Sequence, residues 1–210
     1  MISRISGSAS VLETKKGRKA KALPRARGPL FTYRILSQEV LHSPAGKLPL
    51  LLDLGFSCFI QLTGAQAKNL KPGDIVQSQS KLPARVLKVP KADQSWLYHY
   101  KAYVERTVDG DTFWVRIDLG FRFWIRQKLR LSGLDAPELN TREGEETKRR
   151  VEEQLKKAPW VMITTTKPDK YDRYLSDIFI PRKGREVHLN QWLLDQGLAA
   201  AAPAGWGKGR

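Results

Sequence analysis

A chain of 210 residues with 41% hydrophobic and 28% charged side chains sits in the globular range. It is long enough for one sizeable core or two small ones, which excludes a wholly disordered chain. Its net charge of +16 makes a polyanion, DNA or RNA, the expected partner, because each phosphate neutralised by Lys or Arg releases condensed counterion.

Residues 1–30 carry Lys15, Lys16, Arg18, Lys19, Lys21, Arg25 and Arg27 against Glu13 alone, and read as a basic disordered arm. The arm is either an electrostatic tether or a solubilising tail. It lacks the apolar core of a secretory signal, and no apolar run in the chain approaches the roughly 18–20 residues of a spanning helix. The expected location is cytoplasmic, and an anionic membrane surface is the weaker reading of the charge. Cys58 is the sole cysteine, which excludes an internal disulfide and a thiolate metal site. Within Phe56-Ser-Cys-Phe-Ile60 it reads as a buried, inert thiol.

From 31 to 100, β-rich runs at Thr32–Leu36, Leu48–Leu62, Asp74–Gln77 and Arg85–Val89 alternate with breaks at Pro44-Ala-Gly46, Gly64, Lys71-Pro-Gly-Asp74 and Pro90. The pattern predicts a small β-rich unit whose role is not legible. Trp96, Tyr98, His99 and Tyr100 either stack bases or seal a contact, and sealing is the expectation. One echo stands out: Leu52-Asp-Leu-Gly-Phe56 with Ile60 recurs as Ile117-Asp-Leu-Gly-Phe121 with Ile125. Both predict hairpins turned at Gly. Duplication and convergent hairpin chemistry are both open, with convergence expected.

From Lys101 the pattern predicts strands at Tyr103–Val108, Thr112–Leu119 and Phe121–Leu131, then a helix over Glu145–Lys157 with a stripe of Val151, Leu155 and Ala158. Strands at Trp160–Thr166 and Tyr174–Ile180 follow. A last helix carries Leu189, Trp192 and Leu193 and ends at Gly197. The expected fold is mainly β with α, a barrel with packed helices over 101–200 preceded by the small β-rich unit, with a flexible tail at 201–210.

Chemistry concentrates in three segments. In Asp109-Gly-Asp111 a Gly between two acids lets the backbone turn tightly, although most such tripeptides are plain turns. Leu129-Arg-Leu131 alternates about a single Arg130, either a solvated barrel residue or a functional one. Asp135-Ala-Pro-Glu138 offers two carboxylates beside a rigid Pro, or an N-terminal cap for the next helix. Two acids able to hold a hard cation, a third left for a water and two forked arginines make a set suited to phosphodiester chemistry.

Taken in order, Val108-Asp-Gly-Asp-Thr112, Leu129-Arg-Leu-Ser-Gly-Leu-Asp-Ala-Pro-Glu138, Asp169-Lys-Tyr-Asp-Arg173 and Leu189-Asn-Gln-Trp-Leu-Leu-Asp-Gln-Gly-Leu-Ala199 resemble the staphylococcal-nuclease-like (thermonuclease) family. The resemblance covers roughly Tyr103 to Leu198. It implies an OB-like five-stranded barrel and calcium-dependent cleavage of DNA and/or RNA that leaves 3′-phosphates. By position it implies Asp111, Asp135 and the Ala136 carbonyl as Ca2+ ligands, Glu138 as the group acting on water, and Arg130 and Arg173 as the phosphate clamp. It further implies that Thr112, Lys170 and Tyr171 support the substrate. The alternative is a catalytically inactive nucleic-acid-binding scaffold of the same fold. All five charged residues stand in their matching positions, which favours the enzyme.

Two departures stand against the pattern. Asp172 takes the place of the family's Gly beside Arg173. The hairpin Ile117–Gln127 is long and carries Phe121, Phe123 and Trp124, which either extend the substrate groove or pack on the N-terminal unit; packing is the expectation. His188, Tyr174 and Asp177 read as structural. Arg122, Arg126, Lys128, Lys148, Arg149, Lys156 and Lys157 are either backbone contacts or a solvated face.

Overall fold

The computed structural model describes residues 28–37, 49–78, 86–92, 94–168 and 173–203. The arm before Gly28, the Pro44–Gly46 break, the loop holding Lys170, Tyr171 and Asp172, and residues 204–210 lie outside the described residues.

The C-terminal half is a barrel. Its strands are β6 (His99–Thr107), β7 (Thr112–Gly120), β8 (Phe123–Leu131), β10 (Val161–Pro168) and β11 (Tyr174–Arg182). They run in the order β10-β6-β7-β8-β11, and β10 pairs with β11 to close the ring. Residues along β7 alternate: Phe113, Val115, Ile117 and Leu119 are fully buried, while Arg116 is exposed. That period of two is what a strand with one face on a core requires. Two-residue β9 (Leu134–Asp135), α2 (Arg142–Leu155), β12 (Arg185–His188), α3 (Leu189–Asp195) and β13 (Ala200–Ala201) complete this half.

α2 begins at Arg142, three residues before the predicted start at Glu145. Thr141 caps it, the side chain accepting from the Gly144 N–H at 3.0 Å, and Glu143 and Glu145 sit in the first turn where the helix dipole favours acids. The helix cap is therefore Thr141 and not the Asp135–Glu138 segment. α3 ends as expected, Gly197 adopting φ +66 just beyond it.

The N-terminal sheet holds β1 (Thr32–Ser37), β2 (Leu50–Gly55), β3 (Cys58–Gln61), β4 (Ile75–Ser78) and β5 (Val86–Lys88), with a one-turn helix α1 (Gly64–Ala67) between β3 and β4. Its order, β3-β2-β1-β4-β5, is the barrel's order β8-β7-β6-β10-β11 with each strand replaced by its counterpart. Register agrees residue for residue. Arg34 faces Asp53 as Lys101 faces Asp118, and Tyr33 faces Val76 as Tyr100 faces Ile163. Asp53 faces Phe59 and Gly55 faces Cys58 across the same irregularity that sets Asp118 against Trp124 and Gly120 against Phe123. Even the turn bonds repeat: the Asp53 carboxylate accepts from the Gly55 N–H at 2.8 Å, and Asp118 accepts from Gly120 at 2.9 Å. The sequence echo therefore extends well beyond a shared hairpin turn. The first sheet follows the barrel's strand plan but stays open, since β3 and β5 do not pair among the described residues.

The two copies exchange contacts in the manner of an isologous dimer. Tyr33 O–H of the first copy donates to the Leu119 carbonyl of the second at 2.7 Å, and Tyr100 O–H of the second donates to Leu54 of the first at 2.9 Å. Each hydroxyl fills the space beside the other copy's turn glycine, where a Cβ on Gly120 would meet Tyr33 and one on Gly55 would meet Tyr100. Both glycines also hold φ near +80, at +82 and +79, which disfavours any L side chain. Phe121 packs on Tyr33 with ring centroids 5.3 Å apart. One contiguous core runs through both sheets, from Ile35 and Leu52 to Ile117 and Leu131. Cys58 is half-buried, its thiol donating weakly to the Phe56 carbonyl at 3.6 Å, and burial pushes its pKa up.

Candidate active site

Asp111 sits at the start of β7, its backbone fixed on both sides. The Asp109 carboxylate accepts its N–H at 3.0 Å, and its carbonyl accepts from the Leu131 N–H at 2.8 Å. The turn Asp109-Gly-Asp111 thus presses Asp111 against the end of β8. Its side chain, only 3% exposed, accepts Nη1 of Arg130 and Thr112 O–H on one oxygen, each at 2.9 Å. The other oxygen accepts Arg130 Nη2 at 2.9 Å and the Ala136 N–H at 3.1 Å. Arg130 reaches this point because it faces Thr112 across the β7–β8 pair.

The same guanidinium continues to Asp135, Nη2 lying 2.5 Å from Oδ1. Asp135 belongs to β9, whose register with β13 sets it against Ala200. Burial is the largest influence on the Asp111 carboxyl and pushes it up to about 6, with Asp109 adding to the rise. Arg130, the Ala136 N–H and Thr112 pull it down, and burial prevails.

Glu138 is exposed at the rim. Its backbone carbonyl accepts the Thr141 N–H at 3.0 Å and the Thr141 O–H at 2.7 Å. Gly144 leaves room for this, since a Cβ there would collide with the Glu138 carbonyl. Thr141 and Gly144 are the positioning residues the motif left out; the signal for them was a Thr three residues before a Gly at a helix start. Arg173, half-buried, lies immediately before β11, whose Leu175 runs beside Arg130 in parallel register. A cleft of about 390 Å³ takes in Asp111, Arg130, Asp135, Ala136, Glu138 and Arg173. Six of the nine site residues named from sequence line it, and Thr112 adjoins it by its bond to Asp111. Lys170 and Tyr171 lie outside the described residues.

The cleft offers hard oxygen donors of the kind a calcium-sized cation takes. Among the described residues no group of three or more His, Cys, Asp or Glu gathers closely enough to hold an ion. Two carboxylates instead share one guanidinium. The oxygen donors of that pair, beside the Ala136 carbonyl, have the chemistry a hard cation takes.

Elsewhere, His188 occupies the position before α3 without capping it. Its Nε2 lies 3.0 Å from the Asp177 carboxylate, which also accepts Ser132 O–H at 3.0 Å, and its ring stacks on Phe179. Asn190 bonds the Ser132 and Ser176 carbonyls and accepts the Ile178 N–H, tying α3 to the barrel.

A closed five-stranded OB-like barrel with acids and arginines converging in one cleft defines a nuclease-like fold. Residues 128–206, within the C-terminal half of the chain, match the family described as "Staphylococcal nuclease homologue". The matched stretch includes Arg130, Asp135, Glu138 and Arg173 and begins after Asp111. An uncharacterized protein of Methanocaldococcus jannaschii is 30% identical over 126 residues, covering 48% of this chain and 58% of its own length. The chain thus spans less than two thirds of that relative. No helix among the described residues is long and apolar enough to cross a membrane.

Proposed function

We propose that this chain is a calcium-dependent nuclease that hydrolyses phosphodiester bonds of DNA and/or RNA. The observation that carries the reading is the single cleft holding Asp111, Arg130, Asp135, Glu138 and Arg173.

Asp111, Asp135 and the Ala136 carbonyl would hold the ion, which when bound neutralises phosphate charge and polarises the reacting phosphate. Arg130 and Arg173 bind the phosphate oxygens, and their delocalised charge suits the negative charge that spreads over them as the water adds. Glu138, exposed at the rim, accepts the proton of that water. The new oxygen–phosphorus bond forms as the bond to the 5′ oxygen breaks, so the phosphate stays on the 3′ side and the departing oxygen takes up a proton from solvent. Thr112 holds Asp111 in place, and Lys170 and Tyr171 support the substrate.

The alternative is a nucleic-acid-binding scaffold without catalysis. It is favoured by the engagement of both Asp111 and Asp135 by Arg130. Digestion of single-stranded DNA and RNA separates the two. The nuclease reading expects hydrolysis that requires calcium, stops with a chelator and is lost in Glu138→Gln. Salt-sensitive binding with no calcium-dependent cleavage would establish the scaffold instead.

A further inference from the structure

The face of the barrel that leaves the cleft along β7 and β8 carries cations interleaved with aromatics. Every second residue of a strand shares a face. Behind Arg130 on β8 therefore come Lys128, Arg126 and Trp124, with Trp114 facing Lys128 and Arg116 facing Arg126 on β7. The Arg126 guanidinium lies 4.4 Å over the Trp114 ring. Glu105 pairs with Arg116 and Arg126 at 2.8 and 2.7 Å, one acid between two cations. Trp124 and its neighbour Phe123 are 46% and 52% exposed, although Phe121 of the same turn is used in packing on Tyr33. Packing between the copies thus accounts for one aromatic of the three.

The first copy is an internal control. Its register sets Leu36, Leu51 and Gln61 where the second has Tyr103, Arg116 and Arg126, and Leu51 is 3% exposed. Leu36 is half-buried and Gln61 exposed, so the same strand plan is satisfied with no cation at any of the three positions. The cations of the second copy are therefore not demanded by the fold, whereas an aromatic recurs at the position of Trp124, as Phe59.

We propose that this face is a binding track for single-stranded nucleic acid running from the phosphate at Arg130 out to the β7–β8 turn. Lys128, Arg126 and Arg116 take phosphates, and Trp124 stacks an unpaired base. Six residues of strand from Arg130 to Trp124 extend about 20 Å, beyond the reach of a dinucleotide seated in the cleft. A duplex keeps its base faces covered and gains only the charge contacts. The proposal rests on Arg130 meeting a phosphate, as in the function proposed above.

The test is fluorescence anisotropy of the full chain, in chelator so that nothing is cut, with a labelled deoxythymidine dinucleotide, a 12-mer and a 12-base-pair duplex. Trp124→Ala is expected to weaken the 12-mer about tenfold and to leave the dinucleotide and duplex unchanged. Arg126→Gln is expected to reduce the salt slope for the 12-mer by about one. Both side chains are exposed, and a thermal melt matching the parent's shows that the fold is kept. Equal loss for all three probes, or no loss for any, overturns the track, the latter leaving the face to some other partner. Cleavage is assayed separately with calcium. A parent that cuts nothing yet shows Trp124-dependent binding of the 12-mer keeps the track and removes the nuclease, whereas a parent that cuts but binds the 12-mer no differently from Trp124→Ala does the reverse.

Discussion

Arg130 carries the charge balance of the cleft because, among the described residues, it alone bonds both Asp111 and Asp135. Arg130→Ala leaves a carboxylate, on a side chain only 3% exposed, without its cation, a loss that costs about 3–5 kcal/mol for a buried pair broken on one side. Urea unfolding measures it, and a midpoint equal to the parent's would refute the assignment. Arg130→Lys keeps the charge but not the fork, so it should recover part of the stability and little of the hydrolysis. Glu138→Gln should do the opposite. Its side chain is exposed, so stability should stay within about 0.5 kcal/mol, while hydrolysis with calcium falls by about 10²–10⁴ if the carboxylate takes the water's proton. Thr141→Ala stands between them. It removes a helix cap, costing about 1 kcal/mol, and the hydroxyl that holds the Glu138 carbonyl, so the rate should fall without any change in the residues that meet substrate.

At the scale of elements, the barrel strands were legible because their alternation of apolar and polar side chains is strong, as in Phe113 to Leu119. The cleft residues were legible because short motifs fix both spacing and type. What sequence could not supply was the meaning of the Asp-Leu-Gly-Phe echo. A turn motif four residues long arises by convergence, and the pairing that distinguishes a copy from a coincidence, Tyr33 against Val76 and Tyr100 against Ile163, is long-range. Thr141 was missed for a related reason: the apolar stripe of α2 starts at Val151, nearly three turns after the cap. The exchange of tyrosines is testable by itself. Tyr33→Phe and Tyr100→Phe each leave a carbonyl, Leu119 or Leu54, without its donor at a buried site, costing about 1 kcal/mol apiece. Measured together they should exceed the sum if the two contacts hold one interface, and purely additive losses would show two independent ones.

The whole molecule behaves as one body if its core is one, and its tyrosines give that claim a pH dependence. Burial raises the Tyr33 and Tyr100 pKa values, with nearby Asp118 and Asp53 adding to the effect. Tyr98 is pushed up to about 12 by burial and by its hydrogen bond to Asp53. In the unfolded chain these phenols ionise near 10. Between about 10 and 12 the unfolded state releases protons that the folded state retains, so stability present in full below pH 10 is lost as pH rises through that window. Tyr33→Phe, which cannot ionise at 33, should flatten the alkaline limb of a plot of stability against pH while lying below the parent at neutral pH. A chain beginning at Ser95 removes Tyr33, Ile35, Leu52 and Leu54 from a shared core and uncovers Phe121 and the carbonyl of Leu119. That fragment should melt well below the full chain, bind a hydrophobic dye, and lose the alkaline limb owed to the contact between copies. A fragment as stable as the full chain, with an unchanged alkaline limb, would mean that the first sheet is an appended module and that the barrel carries its own core.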